Sequence, residues 1–201
     1  MLLNHDKAFA DYTPATPVRL HPATDRSVAS LAPDTWLETP QGWRPVTELG
    51  RGDLVRSFDG GFIALTRVAH DVEDSARRIV LPAGCLGAAT ELSVPEDQWV
   101  AVHHARAERL YGSPVVLVRA SALVGYRGAH LAEAGGPLSQ ISCTEDELIY
   151  AQTGAMIYVP GEGDGSHFPQ LSYGDTRALL MMIDSQGCGP DSAMLGDRWA
   201  A

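Results

Sequence analysis

The adjacent histidines His103 and His104, with His70 and His130 elsewhere, are the side chains of this sequence best suited to hold a metal ion. Neighbouring residues on an extended strand point to opposite faces, so His103 and His104 cannot chelate one ion, and at most one of them joins His70 or His130. No HxH or HExxH spacing occurs, and no metal or cofactor is expected. The cysteines Cys85, Cys143 and Cys188 are odd in number, far apart and without CxxC spacing, which argues for buried reduced thiols over a disulfide framework or a zinc knuckle. Cys143 would be reactive only if a histidine or a helix N-terminus lowered its pKa, and an apolar strand does the opposite. The GEGDGS loop from Gly161 to Ser166 lacks the GK[ST] ending of a phosphate loop and the closing Glu of a calcium loop, and reads as surface.

A chain of 201 residues suits one hydrophobic core with tails. With 45% hydrophobic residues and no apolar run of about 18 residues, it reads as globular and not membrane-spanning. The net charge of −10 disfavours nucleic acid, whose binding needs clustered Lys and Arg; Arg77 with Arg78, and Arg106 to Arg109, read as solvated surface. The N-terminus has no basic segment followed by an apolar one, so no secretory signal is read and a cytoplasmic location is expected.

The elements follow from punctuation. Residues 1 to 28 carry prolines and no sustained periodicity, and read as an arm or linker. From Thr35 the cadence is β: TWLET, RPVTEL, LVRSF and FIALTRVAH are short apolar runs separated by Gln41 with Gly42, by GRGD, and by Asp59 with Gly60 and Gly61. Further strands are read at Arg78 to Leu81, Gln98 to His103, Val115 to Val118, Ile141 to Cys143, Glu147 to Ala151 and Ala155 to Val159. Trp36, Trp43 and Trp99 are expected in or half in the core. Single helical turns are read at Pro82 to Leu86 and Arg119 to Val124. A longer helix is read from Tyr173 to Met182, capped by Ser172 or Asp175, with Leu171, Ala178, Leu179 and Met182 on one face.

The stretch SLAPDTWLETPQGWRPVTELGRGDLV, from Ser30 to Val55, resembles the opening block of the bacterial Hedgehog/intein (Hint) domain group, with its Gly-Asp-apolar-Val strand at Gly52, Asp53, Leu54 and Val55. LPAGCLG (Leu81 to Gly87) and LSVPED (Leu92 to Asp97) are similar to its middle block, and ELIYA (Glu147 to Ala151) with Pro160 and Gly161 looks like its closing block. The resemblance implies a mostly-β fold, a Hint-like horseshoe of short antiparallel strands with a short C-terminal helix. It implies an arm at 1–28, the Hint-like β domain at 29–161, and a loop with a packed helix at 162–201.

The resemblance also implies a site. Hint chemistry begins when a Cys or Ser at the first position attacks its own preceding carbonyl, and Ser30 is that residue here, with Ala29 as the acyl group. A hydroxyl needs a base, and the leaving nitrogen needs a proton, normally from histidine. Aligned on Pro95, the usual hydroxyl residue becomes Val94 and the usual histidine becomes Asp97; the closing block's histidine becomes Asp146. An ionised carboxylate cannot donate that proton. The leading expectation is therefore a Hint-like domain with degenerate autoprocessing, acting as an interaction or processing module for a protein partner. One alternative is an active domain that self-cleaves by an N–O acyl shift at Ser30, assisted by Asp97 or Asp146 as raised-pKa acids. Another is a β-rich binding protein unrelated to Hint chemistry, in which the three residues need not meet. At most the activity is autoproteolytic.

Overall fold

The computed structural model describes residues 28–73, 77–132, 136–161 and 167–185. The fold is mostly β, with fourteen short strands: β1 Ala29–Leu31, β2 Trp36–Thr39, β3 Gly42–Pro45, β4 Leu54–Arg56, β5 Phe62–Ala64, β6 Arg67–Val72, β7 Arg78–Leu81, β8 Leu92–Pro95, β9 Trp99–His103, β10 Val115–Arg119, β11 His130–Ala132, β12 Leu138–Ser142, β13 Glu147–Ala151 and β14 Ala155–Val159. Among the described residues two α-helices complete it, α1 Ala105–Tyr111 and α2 Tyr173–Asp184. A six-stranded sheet runs β10-β9-β14-β13-β2-β3, two three-stranded sheets run β1-β12-β6 and β11-β7-β8, and β4 pairs with β5. Every named pair is antiparallel.

The β10-β9-β14-β13 part of the six-stranded sheet is apolar on both faces, as a sheet covered on both sides must be, while the β2–β3 end is open on one side. Ile149, Ala151, Ile157, Val100 and Val102 point into the main core, while Leu148, Met156, Tyr158 and Ala101 form a second cluster on the other face with Trp99, Tyr150 and Phe168 packed against it. That double covering explains why all five residues of β14 are buried. Trp43 and Trp99 are half-buried as expected; Trp36 departs from expectation at 44% exposed, because it alternates with the inward Leu37.

Glycines close the tight turns where the sequence placed them. Gly42 has φ +103 at the end of the β2–β3 turn, whose Thr39 hydroxyl donates to the Gly42 carbonyl at 2.7 Å. In the β4–β5 turn Gly61 has φ +75 and its carbonyl accepts from Ser57 N–H at 2.7 Å. The turn expected within Arg119 to Val124 appears as a short 3-10 segment at Ala120–Leu123, whereas the one expected over Pro82 to Leu86 is shifted to Cys85–Gly87, where Leu86 at φ +50 makes it a left-handed turn and not a helical one. Helix α2 starts at its Ser172 cap, as read from sequence, but runs two residues further and buries Thr176, Leu179, Leu180 and Ile183. Ala178 is exposed and Met182 half-buried, so the apolar stripe is rotated from the expected face to the i, i+3, i+4, i+7 row.

Helix α1 occupies the stretch read as plain basic surface. Its N-cap is His104, whose Nδ1 accepts from Arg106 N–H at 3.1 Å, and its C-terminus closes on Gly112 at φ +75. A ring that accepts at Nδ1 must be neutral, and burial, then the nearby Arg106, Arg109, His103 and Arg127, lower the His104 pKa from 6.5. A base with a depressed folded pKa gives stability that is complete above its unfolded pKa and is lost as pH falls from 6.5 toward the folded value. His104→Asn, which caps at every pH, should therefore match the wild type at pH 8 and exceed it in acid by about 1 kcal/mol in urea unfolding. Parallel pH curves for the two proteins would refute the cap.

Candidate functional site

Ser30 sits in the middle of β1, opposite Gln140 of β12, with Ala29 opposite Ile141. Ala29 is fully buried and Ser30 is half-buried, so the Ala29–Ser30 peptide bond lies inside the fold. Its N–H donates to Oε1 of Gln98 at 3.2 Å. Gln98 is itself buried, and its Nε2 donates to the carbonyls of Trp99 at 3.0 Å and Tyr158 at 2.9 Å. These partners fix the carboxamide in one sense: a flip would set its oxygen against two carbonyl oxygens and its NH2 against an N–H. The turn that presents it is held by backbone bonds, Gln98 N–H to Pro95 O at 3.0 Å, Ala120 N–H to Gln98 O at 2.9 Å and Ser121 N–H to Glu96 O at 2.9 Å. The Arg119 guanidinium lies 4.1 Å over the Trp99 ring and donates to the Asp97 carbonyl, and Arg77 pairs with Glu96 at 2.8 Å.

Asp97 is the exposed tip of that turn; the residue that reaches Ser30 is its neighbour Gln98. Asp146 stands between β12 and β13, where Oδ1 accepts from Gly161 N–H at 2.8 Å and Oδ2 is buried with no hydrogen-bond partner among the described residues. Gly161 is the residue this clasp requires, since a Cβ there would come within 2.4 Å of the Glu145 backbone. Neither carboxylate makes a hydrogen bond to Ser30 among the described residues. Gln98 was legible as a polar residue at the head of the inward row Val100 and Val102, sharing their parity at the start of β9.

The histidines serve the fold. His70 Nε2 lies 2.9 Å from the Leu49 carbonyl, which can only accept, so Nε2 carries a hydrogen, and Nδ1 lies 2.9 Å from the Ser139 hydroxyl. Ser139 pairs with Leu31, one residue from Ser30, so this pair lies on the face of the β1–β12 ladder opposite the Ser30 side chain and is not its base. His103 packs edge-on against Phe58 at 5.7 Å, and His130 Nδ1 lies 3.1 Å from Gly128 O. Burial holds the Cys143 thiol up at about 12 and the Cys85 thiol up at about 11, so both are inert at neutral pH. Cys188 and the loop residues 162–166 lie outside the described residues, as does the arm through residue 27.

What the site can do chemically is narrow. An acyl shift at Ser30 leaves the amide nitrogen in need of a proton. The group facing that nitrogen is a carboxamide oxygen that accepts its hydrogen and has none to give.

The family profile described as the Hint domain matches residues 29–153, and the chain belongs to that family. The match begins one residue before Ser30 and sets aside the reading of an unrelated β-rich binding protein. Solved structures with which the chain aligns include the MchDnaB-1 intein (N145AA), at 14% identity and a TM-score of 0.43 over 64% of this chain and 99% of that one. They include the gp41-1 intein, at 17% identity and 0.44 over 64% and 97%. A bacterial intein-like domain from Clostridium thermocellum aligns at 10% identity and 0.46 over 65% and 98%. No curated protein sequence matches the chain. No helix among the described residues is long and apolar enough to cross a membrane.

Proposed function

We propose that this chain is a Hint domain with silent autoprocessing, acting as an interaction or processing module toward a protein partner, with residues 29–161 as the Hint unit, 1–28 as an arm and 162–201 as an appended loop and helix. The observation that carries the reading is the Gln98 carboxamide at the Ser30 N–H. It is neutral at every working pH, and its other bonds hold it in the accepting orientation. Asp97 and Asp146, the other candidates for the missing acid, are occupied as a turn tip and as the clasp on Gly161.

A second reading, self-cleavage through an N–O acyl shift at Ser30, is favoured by the family match that starts at Ala29. The two are separated by intact mass of freshly purified full-length protein before and after incubation with hydroxylamine, which resolves an ester. The silent module keeps its full mass. A fragment beginning at Ser30, absent from Ser30→Ala, would establish live acyl-shift chemistry and sink the proposal.

A further inference from the structure

One serine hydroxyl sits between two carboxyl groups at the seam joining the β4–β5 turn to β13. Ser57 Oγ lies 2.5 Å from Oε2 of Glu147 and 3.2 Å from Oδ1 of Asp59. Ser57 is buried, Glu147 is half-buried and Asp59 is exposed, so the row leads from the interior to solvent. A hydroxyl carries one hydrogen, and ionised carboxylates carry none. Both contacts can be full two-centre hydrogen bonds only if a second proton is present, carried by one of the carboxyl groups; a single hydrogen shared between the two is weaker at each. With both ionised, Ser57 donates to one and turns a lone pair toward the other, which is repulsive.

We propose that Glu147, Ser57 and Asp59 form a proton-sharing latch that ties the Asp59 end of the β4–β5 turn through Ser57 to β13 when Glu147 carries a proton and frees Asp59 from that row when Glu147 ionises. In the clasped state Glu147 donates to Ser57 Oγ, and Ser57 donates to Asp59. On ionisation the Glu147 proton leaves to solvent, the Ser57 hydrogen turns to the closer Glu147 oxygen, and Asp59 is released.

The surroundings support this order of events. Burial raises the Glu147 pKa from 4.5; the Ser57 hydrogen bond lowers it, and Asp59, Glu145 and Asp146 raise it again. The other titratable groups packed nearby are the Cys143 thiol, protonated well past neutrality, and His103, which meets the turn through the Phe58 ring. Arg56, the cation of β4, is stacked 5.4 Å from the centre of the Phe62 ring. What the latch holds is defined: Ser57 bridges to Ile149, Phe58 N–H donates to Leu148 O at 2.8 Å, and the Phe58 ring rests against His103 and Tyr150.

A carboxyl with a raised folded pKa gives stability that is complete below its unfolded value and is lost as pH rises through the folded one. Glu147→Gln keeps the shape and carries permanent hydrogens, so it stays clasped. Urea denaturation of the full chain from pH 4 to 8 should give coincident midpoints for the two proteins at pH 4 and a higher midpoint for Glu147→Gln at pH 7. Equal pH dependence, or a lower midpoint for the variant at pH 7, overturns the latch. If the variant does not fold, a carboxyl titration of the wild type by carbon NMR decides instead. The latch requires a Glu147 midpoint above 4.5 that is shared by the Phe58 and Gly61 amide shifts. A midpoint at or below that value, or amides that do not follow it, overturns it.

Discussion

Replacing Gln98 with Leu lowers the unfolding free energy by about 2–4 kcal/mol and accelerates hydrogen exchange at the Ser30 amide. Leucine nearly fills the volume, so the loss comes from polarity. Three hydrogen bonds disappear at a buried position, to Ser30 N–H, Trp99 O and Tyr158 O. Each is worth about 1 kcal/mol, with a further penalty for any backbone group left dry. Gln98→Glu sharpens the test. It preserves an acceptor for Ser30 but removes both Nε2 hydrogens, and an ionised oxygen then faces carbonyl oxygens. The expected cost at pH 7 is therefore at least that of leucine, and it shrinks in acid, where a neutral carboxyl can donate to one carbonyl. A change below about 0.5 kcal/mol for Gln98→Leu would mean that the network does not hold β1, and the observation behind the proposed silence would go with it.

How much of this was written in the sequence depends on how local each signal is. The hairpin β13–β14 matched to the residue, because two five-residue runs rich in Ile, Tyr, Leu and Val and the break at Gln152, Thr153 and Gly154 specify it without help from the rest of the chain. The cap of α2 at Ser172 was equally local. The short strand Ala29–Leu31 was not legible, since only its pairing with β12 makes it a strand. Helix α1 was missed because its cap is a histidine and its arginines read as surface, although Ala, Glu and Leu followed by Gly112 are an ordinary helix ending. At the site, Ser30 could be singled out through the opening block. Its partner could not, because Gln98 and Ser30 lie 68 positions apart and meet only once β8, β9 and β1 are stacked. An alignment transfers roles to positions, and the structure assigns contacts to side chains; at the Asp97–Gln98 turn the two differ by one residue.

The same stacking depends on a contact with no side chain in it, and Gly154→Ala should cost about 3 kcal/mol or more. A Cβ on Gly154 would lie 2.2 Å from the Gly87 carbonyl oxygen and 3.0 Å from its carbon, so backbone has to move. Gly112→Ala is the control: its φ of +75 strains an alanine, but nothing lies within 4 Å, and about 1 kcal/mol is expected. The larger effect is thus assigned to the glycine with ordinary φ, against what backbone strain alone would rank. Gly87→Ala combines both penalties, with φ +84 and a contact of 3.2 Å to Gly154 O, and the double variant should cost less than the sum because one seam opens once. This seam is where the β13–β14 tip meets the segment leading into β8. Ala89 N–H donates to Gln152 O at 2.8 Å there, and the Gln152 side chain donates to Glu91 O at 3.0 Å and Asp34 O at 3.2 Å. Because β8 leads directly into the turn that carries Gln98, opening the seam should also speed exchange at the Ser30 amide. Thermal unfolding of the three single variants, with exchange measured on Gly154→Ala, tests both halves. Gly154→Ala no worse than Gly112→Ala would show that the tip and the turn give way without cost.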